Sequence, residues 1–252
     1  MTSTPKAGPT PSPACRADAG PLLVALLSGD EAAALCILRR AREEGLDLAC
    51  IARVLLEPAL SQVGEMWYRG EVNEAEEHLA TALASRALSR IAATIPPPPP
   101  GAPRIVFSCL AGEFHELGTR VATEIAREAG WDAENLGANV PRAALLRFVA
   151  QRRPRAVGLS LSLAAHVPEC VRTVAEIRHE APGTAVLVGG GAFRRDAALR
   201  ELVRADAVHA TVEELRDWLR GNLPGGVADA AAPAPPCCLP ASFHEKLARP
   251  RR

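Results

Sequence analysis

Two hydrophobic patterns divide the chain, with helical spacing in the first part and short apolar runs in the second. Between residues 21 and 95, apolar residues recur at helical intervals, and turn residues interrupt them three times. This pattern predicts four helices with short connections, which form a small bundle. Pro58 predicts a kink or early break in the third helix, because proline lacks the N–H that a helix interior needs. The predicted helix caps are Asp30, Asp47 and Asn73, and the predicted inner face of the fourth helix is Leu79, Leu83, Leu88 and Ile91.

After the five-proline run Pro96–Pro100, short apolar runs alternate with helical segments. A run such as Ile105–Leu110, rich in β-branched and aromatic residues, is typical of a strand that is buried on both faces. Alternation of strands and helices predicts an α/β fold with a Rossmann-like, doubly wound parallel sheet. The predicted strands are 105–110, 132–136, 156–162, 185–189 and 207–210, and the predicted helices are 117–129, 142–151, 167–179, 196–203 and 212–222.

Composition sets the expected boundaries between these parts. Segments rich in proline and small residues bury too little apolar surface to offset their ordering entropy, and a proline run is stiff and extended. We therefore expect a disordered N-terminal tail at 1–20, a helical bundle at 21–95, a proline linker at 96–102, an α/β domain at 103–223 and a flexible C-terminal tail at 224–252.

Charge and cysteine content narrow the class of protein. The formal net charge is zero and no basic block precedes Arg249–Arg252, so direct DNA binding is not expected. The seven cysteines lack the paired spacing of a zinc site, and Cys237 and Cys238 are adjacent, so their role stays open. The first 19 residues lack the apolar run of a signal peptide or membrane anchor. Reduced thiols and a cytoplasmic location away from membranes are the expectation.

The candidate chemistry begins in the polar loop after the first predicted strand. This loop contains Glu113, His115 and Gly118, and loops at the carboxyl ends of strands are where open α/β sheets hold ligands. A lone loop histidine is more often simply exposed to water, so its interpretation depends on motifs elsewhere in the chain. His166, after the third strand, is interpreted as a solvated loop histidine, with a place in a ligand pocket as the alternative.

Three motifs with characteristic gaps decide between these interpretations. After Glu113-x-His115-x-x-Gly118 come 41 residues and then Ser160-Leu161-Ser162, and after 26 more come Gly189, Gly190 and Gly191. Together they resemble the fingerprint of the cobalamin-binding domain over residues 103–223. Glu113 stands where that family usually has aspartate, and Ser162 stands where it usually has leucine.

The resemblance implies a role for each of these residues. His115 would bind the cobalt of a base-off corrinoid, and Glu113 would hydrogen-bond to the other nitrogen of the ring. Gly118, Ser160, Ser162 and the three glycines would contact the nucleotide tail of the cofactor. Their chemistry agrees with this, because glycine permits close backbone approach and serine offers a hydroxyl.

A second motif lies in the bundle, where Trp67 is followed by nine residues and then by Glu77 and His78. Without context, Trp67 would be a core residue and Glu77–His78 an exposed pair on a helix. Before a cobalamin domain, the spacing resembles that of light-sensing cobalamin photoreceptors of the CarH/LitR type. That resemblance implies that Trp67 covers the upper ligand, with Glu77 and His78 beside it, and that His78 becomes a second metal ligand after light.

The resemblance yields one leading hypothesis for function and two alternatives. Residues 1–20 are too short and proline-rich for a helix-turn-helix domain, so the arrangement resembles the stand-alone AerR/PpaA antirepressors. The chain would be a light sensor and not an enzyme, regulating transcription through a transcription factor, expected to be a repressor, with the linker allowing the bundle to shift. The alternatives are a corrinoid methyl-shuttle protein of a methyltransferase system and a haem or redox sensor with His115 on iron. The upper-ligand form (adenosyl-, methyl- or hydroxocobalamin), the partner's identity and the oligomeric state stay open.

Overall fold

A computed structural model describes residues 18–223. Residues 1–17 and 224–252, where the two tails are predicted, lie outside the described residues. Residue 20 is already helical, so the bundle begins within the predicted N-terminal tail. Among the described residues, none of the helices combines the length and apolar character needed to span a membrane.

The helical bundle forms as predicted, and the capping residues do what the sequence indicates. Asp30 accepts a hydrogen bond from the Ala33 N–H, Asp47 accepts one from Cys50, and Asn73 forms a capping box with Glu76. The helices are α1 (Gly20–Leu27), α2 (Glu31–Glu43), α3 (Leu48–Ile51), α4 (Glu57–Tyr68) and α5 (Glu74–Ala92).

The break predicted at Pro58 takes the form of a π-helical segment, Ala52–Leu56, between α3 and α4. Pro58 then lies in the first turn of α4, a position that proline often occupies. The wider turn absorbs the clash that a proline ring would otherwise make with the preceding helical turn. The third predicted helix is therefore two helices joined by a π turn.

One prediction for α5 is wrong, because Leu79 is exposed and not buried. The buried stripe of this helix runs through Ala80, Leu83, Ala84, Ala87, Leu88 and Ile91. Leu79 precedes the first residue of this stripe by one position, which turns its side chain about 100° away from the core.

The second half forms the predicted parallel sheet, in the order β2-β1-β3-β4-β5. Since the order reverses beside β1, its carboxyl end and that of β3 flank the crevice in which such sheets bind ligands. The predicted helix 196–203 is shorter than expected, because Asp196 adopts an extended backbone and the helix begins only at Leu199. A short helix that was not predicted from sequence, Gly191–Arg195, precedes it. The strands are β1 (Arg104–Cys109), β2 (Asp132–Asn135), β3 (Ala156–Ser160), β4 (Ala185–Gly189) and β5 (Ala207–His209). The helices are α6 (Leu117–Glu128), α7 (Arg142–Arg152), α8 (Val167–Glu180), α9 (Gly191–Arg195), α10 (Leu199–Val203) and α11 (Val212–Gly221).

The bundle and one face of the sheet share a hydrophobic core. The buried bundle residues form one cluster with Ile105 and Phe107 of β1, Ile125 of α6 and Trp131. A second cluster fills the opposite face of the sheet, under α7 and α8. The bundle therefore packs directly on the α6 and α11 side of the sheet, although a proline run separates the two parts in sequence.

Candidate functional site

The carboxyl edge of the sheet brings the three sequence motifs together. Cys109 pairs in register with Ser160, Ser160 with Gly189, and Gly189 with His209, so these four residues form a row across the ends of four strands. The loop with Glu113 and His115 comes after the first member of that row, and the glycine run begins at the third. Motifs far apart in sequence therefore meet at one edge.

The buried Glu113 carboxylate is the centre of the polar part of this edge. Its Oε1 accepts hydrogen bonds from the His115 N–H at 3.1 Å and from the His115 ring Nδ1 at 2.5 Å. Its Oε2 accepts from the Ser162 N–H at 2.7 Å and from the ring Nδ1 of His166 at 3.1 Å. Four donors therefore occupy the two oxygens.

These contacts decide the ionisation of Glu113 and the state of His115. Burial alone raises the pKa of Glu113, but the hydrogen bonds from Ser162, His115 and His166 outweigh it, so the pKa lies below its usual value. An ionised carboxylate only accepts hydrogen bonds, so the proton in the contact with His115 lies on Nδ1. Since the His115 side chain is 63% exposed, Nε2 is the nitrogen that it offers to a ligand.

His166 occupies neither of the places considered for it from sequence. It is largely buried and contacts Glu113, so it is not a solvated loop residue. Nor does it belong to the residues that line the neighbouring cleft. The sequence separation of 53 residues between the two side chains explains why this contact carried no signal in the sequence.

An apolar cleft of about 260 Å³ opens between the sheet edge, α6 and the bundle. Gly118, Ser160 and the three glycines of the run all line it, whereas Ser162 instead gives its backbone N–H to Glu113. The bundle closes one side through residues that sequence analysis did not single out. These are Ala52, Leu56, Glu57 and Leu60.

The glycines at this edge are required by close backbone approach. A Cβ on Gly190 would lie 2.4 Å from the carbonyl oxygen of Leu161, and its φ of +113° disfavours any side chain. A Cβ on Gly189 would lie 3.1 Å from the carbonyl oxygen of His209. The glycine run therefore lets β4 and the turn after it pass tightly against both neighbours, which leaves room at the cleft.

Two further cleft residues, His209 and Arg194, were missed from sequence. Burial lowers the pKa of His209, whose ring packs edge-on against Trp218 with centroids 6.4 Å apart. Arg194 forms an ion pair with Glu57 of the bundle at the side of the cleft. The alignment of His209 with Gly189 could have identified it, but only once the strand order is known.

Comparison with known proteins agrees with this geometry. Residues 103–217 match the model of the B12 binding domain, and residues 20–92 match a second model that is also described as a B12 binding domain. The two matches include the whole sheet and all five bundle helices. This chain belongs to the B12-binding proteins.

Two relatives are transcriptional repressors of Myxococcus xanthus. The chain is 34% identical over 168 residues to the HTH-type transcriptional repressor CarH, which covers 66% of this chain and 54% of that protein. It is 34% identical over 149 residues to the HTH-type transcriptional repressor CarA, which covers 58% of this chain and 49% of that protein. The chain thus spans about half the length of these relatives.

A solved structure shows the same fold. The Methanosarcina barkeri monomethylamine corrinoid protein matches with a TM-score of 0.62 and 16% identity, over 78% of this chain and 94% of that protein. At this identity the likeness concerns architecture alone. The predicted bundle followed by a Rossmann-like sheet is therefore confirmed.

The residues of this B12-binding protein fit the cofactor, cobalamin. A corrinoid carries its own nitrogen ligands for cobalt, so the single imidazole of His115 would be enough to hold the metal from the protein. Residues 18–223 contain no cluster of three side chains that could hold a bare metal ion, and His115 offers one nitrogen beside an apolar cleft. Glycines border the cleft, so the protein backbone could approach the planar base in the nucleotide tail of the cofactor closely.

The bundle motif lies on the surface. Trp67 is 51% exposed, so the alternative of a core tryptophan is wrong. His78 is 70% exposed, and its Nδ1 lies 2.6 Å from Glu77 Oε2. The hydrogen bond and charge of Glu77, with a smaller effect of Glu74, raise the pKa of His78. Contact of these residues with the cofactor stays a prediction.

Proposed function

We propose that this chain is a cobalamin-dependent light sensor that regulates transcription through a partner protein. The observation that carries the proposal is a pair of similar histidines, one on each domain. His115 on the sheet and His78 on the bundle are both exposed, and each has its Nδ1 engaged by a glutamate carboxylate. Each ring therefore offers Nε2 as a nitrogen that could bind the metal of the cofactor.

Each side chain has a defined part in this proposal. Bound cobalamin supplies a cobalt–carbon bond that light can break. His115 would hold the metal from the lower side, and Glu113 would keep its ring proton on Nδ1. The apolar cleft would take the nucleotide tail, and Trp67 would cover the upper side. His78 would bind the metal from the bundle after illumination, and so report light as a change in the bundle surface.

Regulation through a protein partner rests on two observations. Both similar M. xanthus proteins are named transcriptional repressors. The chain has a formal net charge of zero and no basic block before its last four residues, which disfavours direct binding to DNA. The partner that fits these two observations is a DNA-binding repressor, which this chain would capture or release in the light. The chain would then act as an antirepressor.

Absorption spectroscopy of the chain loaded with adenosylcobalamin tests this function. Green light should convert the dark spectrum to that of a species with two protein nitrogen ligands. A spectrum unchanged by light, together with methyl transfer from methylcobalamin to a methyltransferase, would instead establish the corrinoid shuttle. Tight binding of haem with no uptake of cobalamin would establish the haem sensor. Neither result is compatible with the light sensor.

A further inference from the structure

His209 is a buried imidazole at the end of β5, with only 8% of the residue exposed. Within residues 18–223, neither of its ring nitrogens takes part in a hydrogen bond or an ion pair. The ring instead packs edge-on against Trp218. Since nearly all buried polar groups in folded proteins have a partner, an imidazole in this state needs a physical explanation.

The charged groups that act on His209 are engaged elsewhere. The Glu214 carboxylate accepts a hydrogen bond from the Ala210 N–H at 2.6 Å and forms an ion pair with Arg200 at 4.0 Å. Burial lowers the pKa of His209, and the opposing charges of Glu214 and Arg200 act on it less strongly. The imidazole is therefore neutral near pH 7, with one nitrogen that donates and one that accepts.

Strand register places His209 on the face of the sheet that carries the apolar cleft. Ser160, Gly189 and His209 pair in one row, so their side-chain positions share a face of the sheet. Ser160 and His209 both line the cleft, with Gly189 between them. The two polar side chains therefore border one stretch of the sheet edge, two strand spacings or roughly 10 Å apart.

Other polar side chains of the cleft already have partners in the protein. Glu57 forms an ion pair with Arg194 at the side of the cleft. The Thr119 hydroxyl donates to a backbone carbonyl, and the Thr211 hydroxyl accepts from a backbone N–H at the start of α11. Among the described residues that line the cleft, His209 is thus the buried polar side chain without a partner. Such a group destabilises the empty protein unless a ligand completes its hydrogen bonding.

We propose that His209 donates a hydrogen bond to the nucleotide tail of cobalamin, and so makes the protein select the complete cofactor over corrinoids that lack the tail. This inference rests on the proposed place of the tail in the apolar cleft. The tail brings a phosphate, a ribose and a base, all with acceptor atoms. The same residue therefore lowers the stability of the empty protein and raises the affinity for the complete cofactor.

Three substitutions separate the hydrogen bond from packing. His209→Leu removes both nitrogens without adding bulk that could block the cleft. His209→Asn and His209→Gln keep an N–H donor near the positions of the ring Nδ1 and Nε2. His179→Leu, at an exposed position on α8, is the matched histidine control.

Two measurements on each variant give the readout. Isothermal titration in the dark with hydroxocobalamin and with hydroxocobinamide, which lacks the tail, gives the selectivity for the complete cofactor. Thermal unfolding of the cofactor-free protein gives its stability. A residue that only supports the fold would lower the melting temperature and would not change the ratio of the two affinities.

We expect His209→Leu to bind hydroxocobalamin about ten-fold more weakly, the effect of about one lost hydrogen bond, and hydroxocobinamide as the wild type does. Its cofactor-free form should melt at the wild-type temperature or up to about 4 °C above it, because removing an unpartnered buried polar group is neutral or favourable. At least one of the two amide variants should recover most of the affinity for hydroxocobalamin. His179→Leu should match the wild type in all measurements.

Three results would overturn the proposal. Unchanged affinity of His209→Leu for hydroxocobalamin would show that His209 does not bind the tail. Equal weakening of both corrinoids, with a lower melting temperature of the cofactor-free variant, would show that His209 only supports the fold. Failure of both amide variants to recover any affinity would show that the shape of the ring matters and its donor does not.

Failure of the underlying assignments would look different. Equal affinity of the wild type for the two corrinoids would show that the protein does not hold the tail, so the assignment of the cleft and the role of His209 would both be wrong. Absence of a light response in the wild type would contradict the light-sensor function alone, because both affinities are measured in the dark.

Discussion

The Asp47 carboxylate at the start of α3 accepts a hydrogen bond from the Arg216 guanidinium of α11 at 3.2 Å. Both side chains are buried, and Arg220 reaches the same Asp47 oxygen at 3.3 Å. Nearby, the Glu128 carboxylate of α6 accepts a hydrogen bond from the Leu48 N–H at 2.8 Å. One corner of the bundle is therefore clamped to the sheet domain by buried charges.

This clamp changes the interpretation of the proline linker. Free movement of the whole bundle would break the Asp47 and Glu128 contacts and expose the shared core. Between the clamp and the end of α4 that carries Trp67 lies the π-helical segment Ala52–Leu56. Since π turns have weaker helical geometry and often mark functional sites, we expect light-driven movement to bend the chain there while the clamp stays closed.

Asp47→Asn should lose less unfolding free energy than the wild type when the pH falls from 7 to 3.5. Burial alone raises the pKa of Asp47, but the hydrogen bond from Cys50 and the charge of Arg216 outweigh it, so the pKa is lowered. A carboxyl with a lowered folded-state pKa stabilises the fold fully above its unfolded value, near 4, and loses that effect as pH falls towards the folded value. Urea unfolding of both proteins at pH 7 and pH 3.5 measures how much unfolding free energy each loses on acidification.

The control for that experiment is the partner side chain. Arg216→Leu should cost about 1.5–3 kcal/mol of unfolding free energy at pH 7, because it removes a charged hydrogen bond to Asp47. The double variant should cost less than the sum of the two single variants if the side chains interact. An equal loss of stability on acidification in wild type and Asp47→Asn would show that Asp47 is not protected in the folded protein.

His115→Ala should abolish retention of cobalamin through gel filtration, because the sheet would lose its direct bond to cobalt. Glu113→Gln should retain cobalamin but with about 10- to 100-fold lower affinity, since a neutral amide no longer fixes the ring of His115 by its charge. Isothermal titration with hydroxocobalamin gives both affinities. His179→Ala serves as the histidine control, and equal affinity of Glu113→Gln and wild type would contradict the supporting role of the carboxylate.

The sequence predicted what is local and missed what depends on three-dimensional register. Glu113 and His115 lie two residues apart on one loop, so the hydrogen bond that the family resemblance implies is a local contact. Ser162 contributes through its backbone N–H, which side-chain chemistry does not reveal. The clamp joins Asp47 to Arg216 across 169 residues, and no periodic pattern connects two such positions.

Ala122→Trp should test whether the apolar cleft holds the nucleotide tail. Ala122 lies on α6 and lines the cleft, so an indole there would fill space that the tail needs. We expect at least about ten-fold weaker binding of cobalamin, or about 1.4 kcal/mol, and unchanged binding of cobinamide, a corrinoid without the nucleotide tail. If the substitution weakened the binding of cobalamin and cobinamide equally, the nucleotide tail would have to lie outside this cleft. Ala143→Trp, at an exposed position on α7, controls for the added bulk.

The final prediction concerns His78, whose ring lies exposed beside Glu77 and Leu79 on α5. His78→Ala should bind cobalamin with wild-type affinity, because in the proposed arrangement His115 would hold the metal from the other domain, and it should still respond to light. After illumination its absorption spectrum should be that of a water-ligated species, because alanine offers no nitrogen.

Partner binding by His78→Ala should then be the same in the dark and in the light. The exposed neighbour supplies the control: Leu79→Ala changes the same surface but leaves the imidazole, so it should keep the two-nitrogen spectrum. If His78→Ala gives the wild-type spectrum after light, another group fills the upper position and the bundle histidine has no part in the switch. If the spectrum changes while partner binding still depends on light, His78 binds the metal without transmitting the signal, and the moving element must be sought at the π-helical segment.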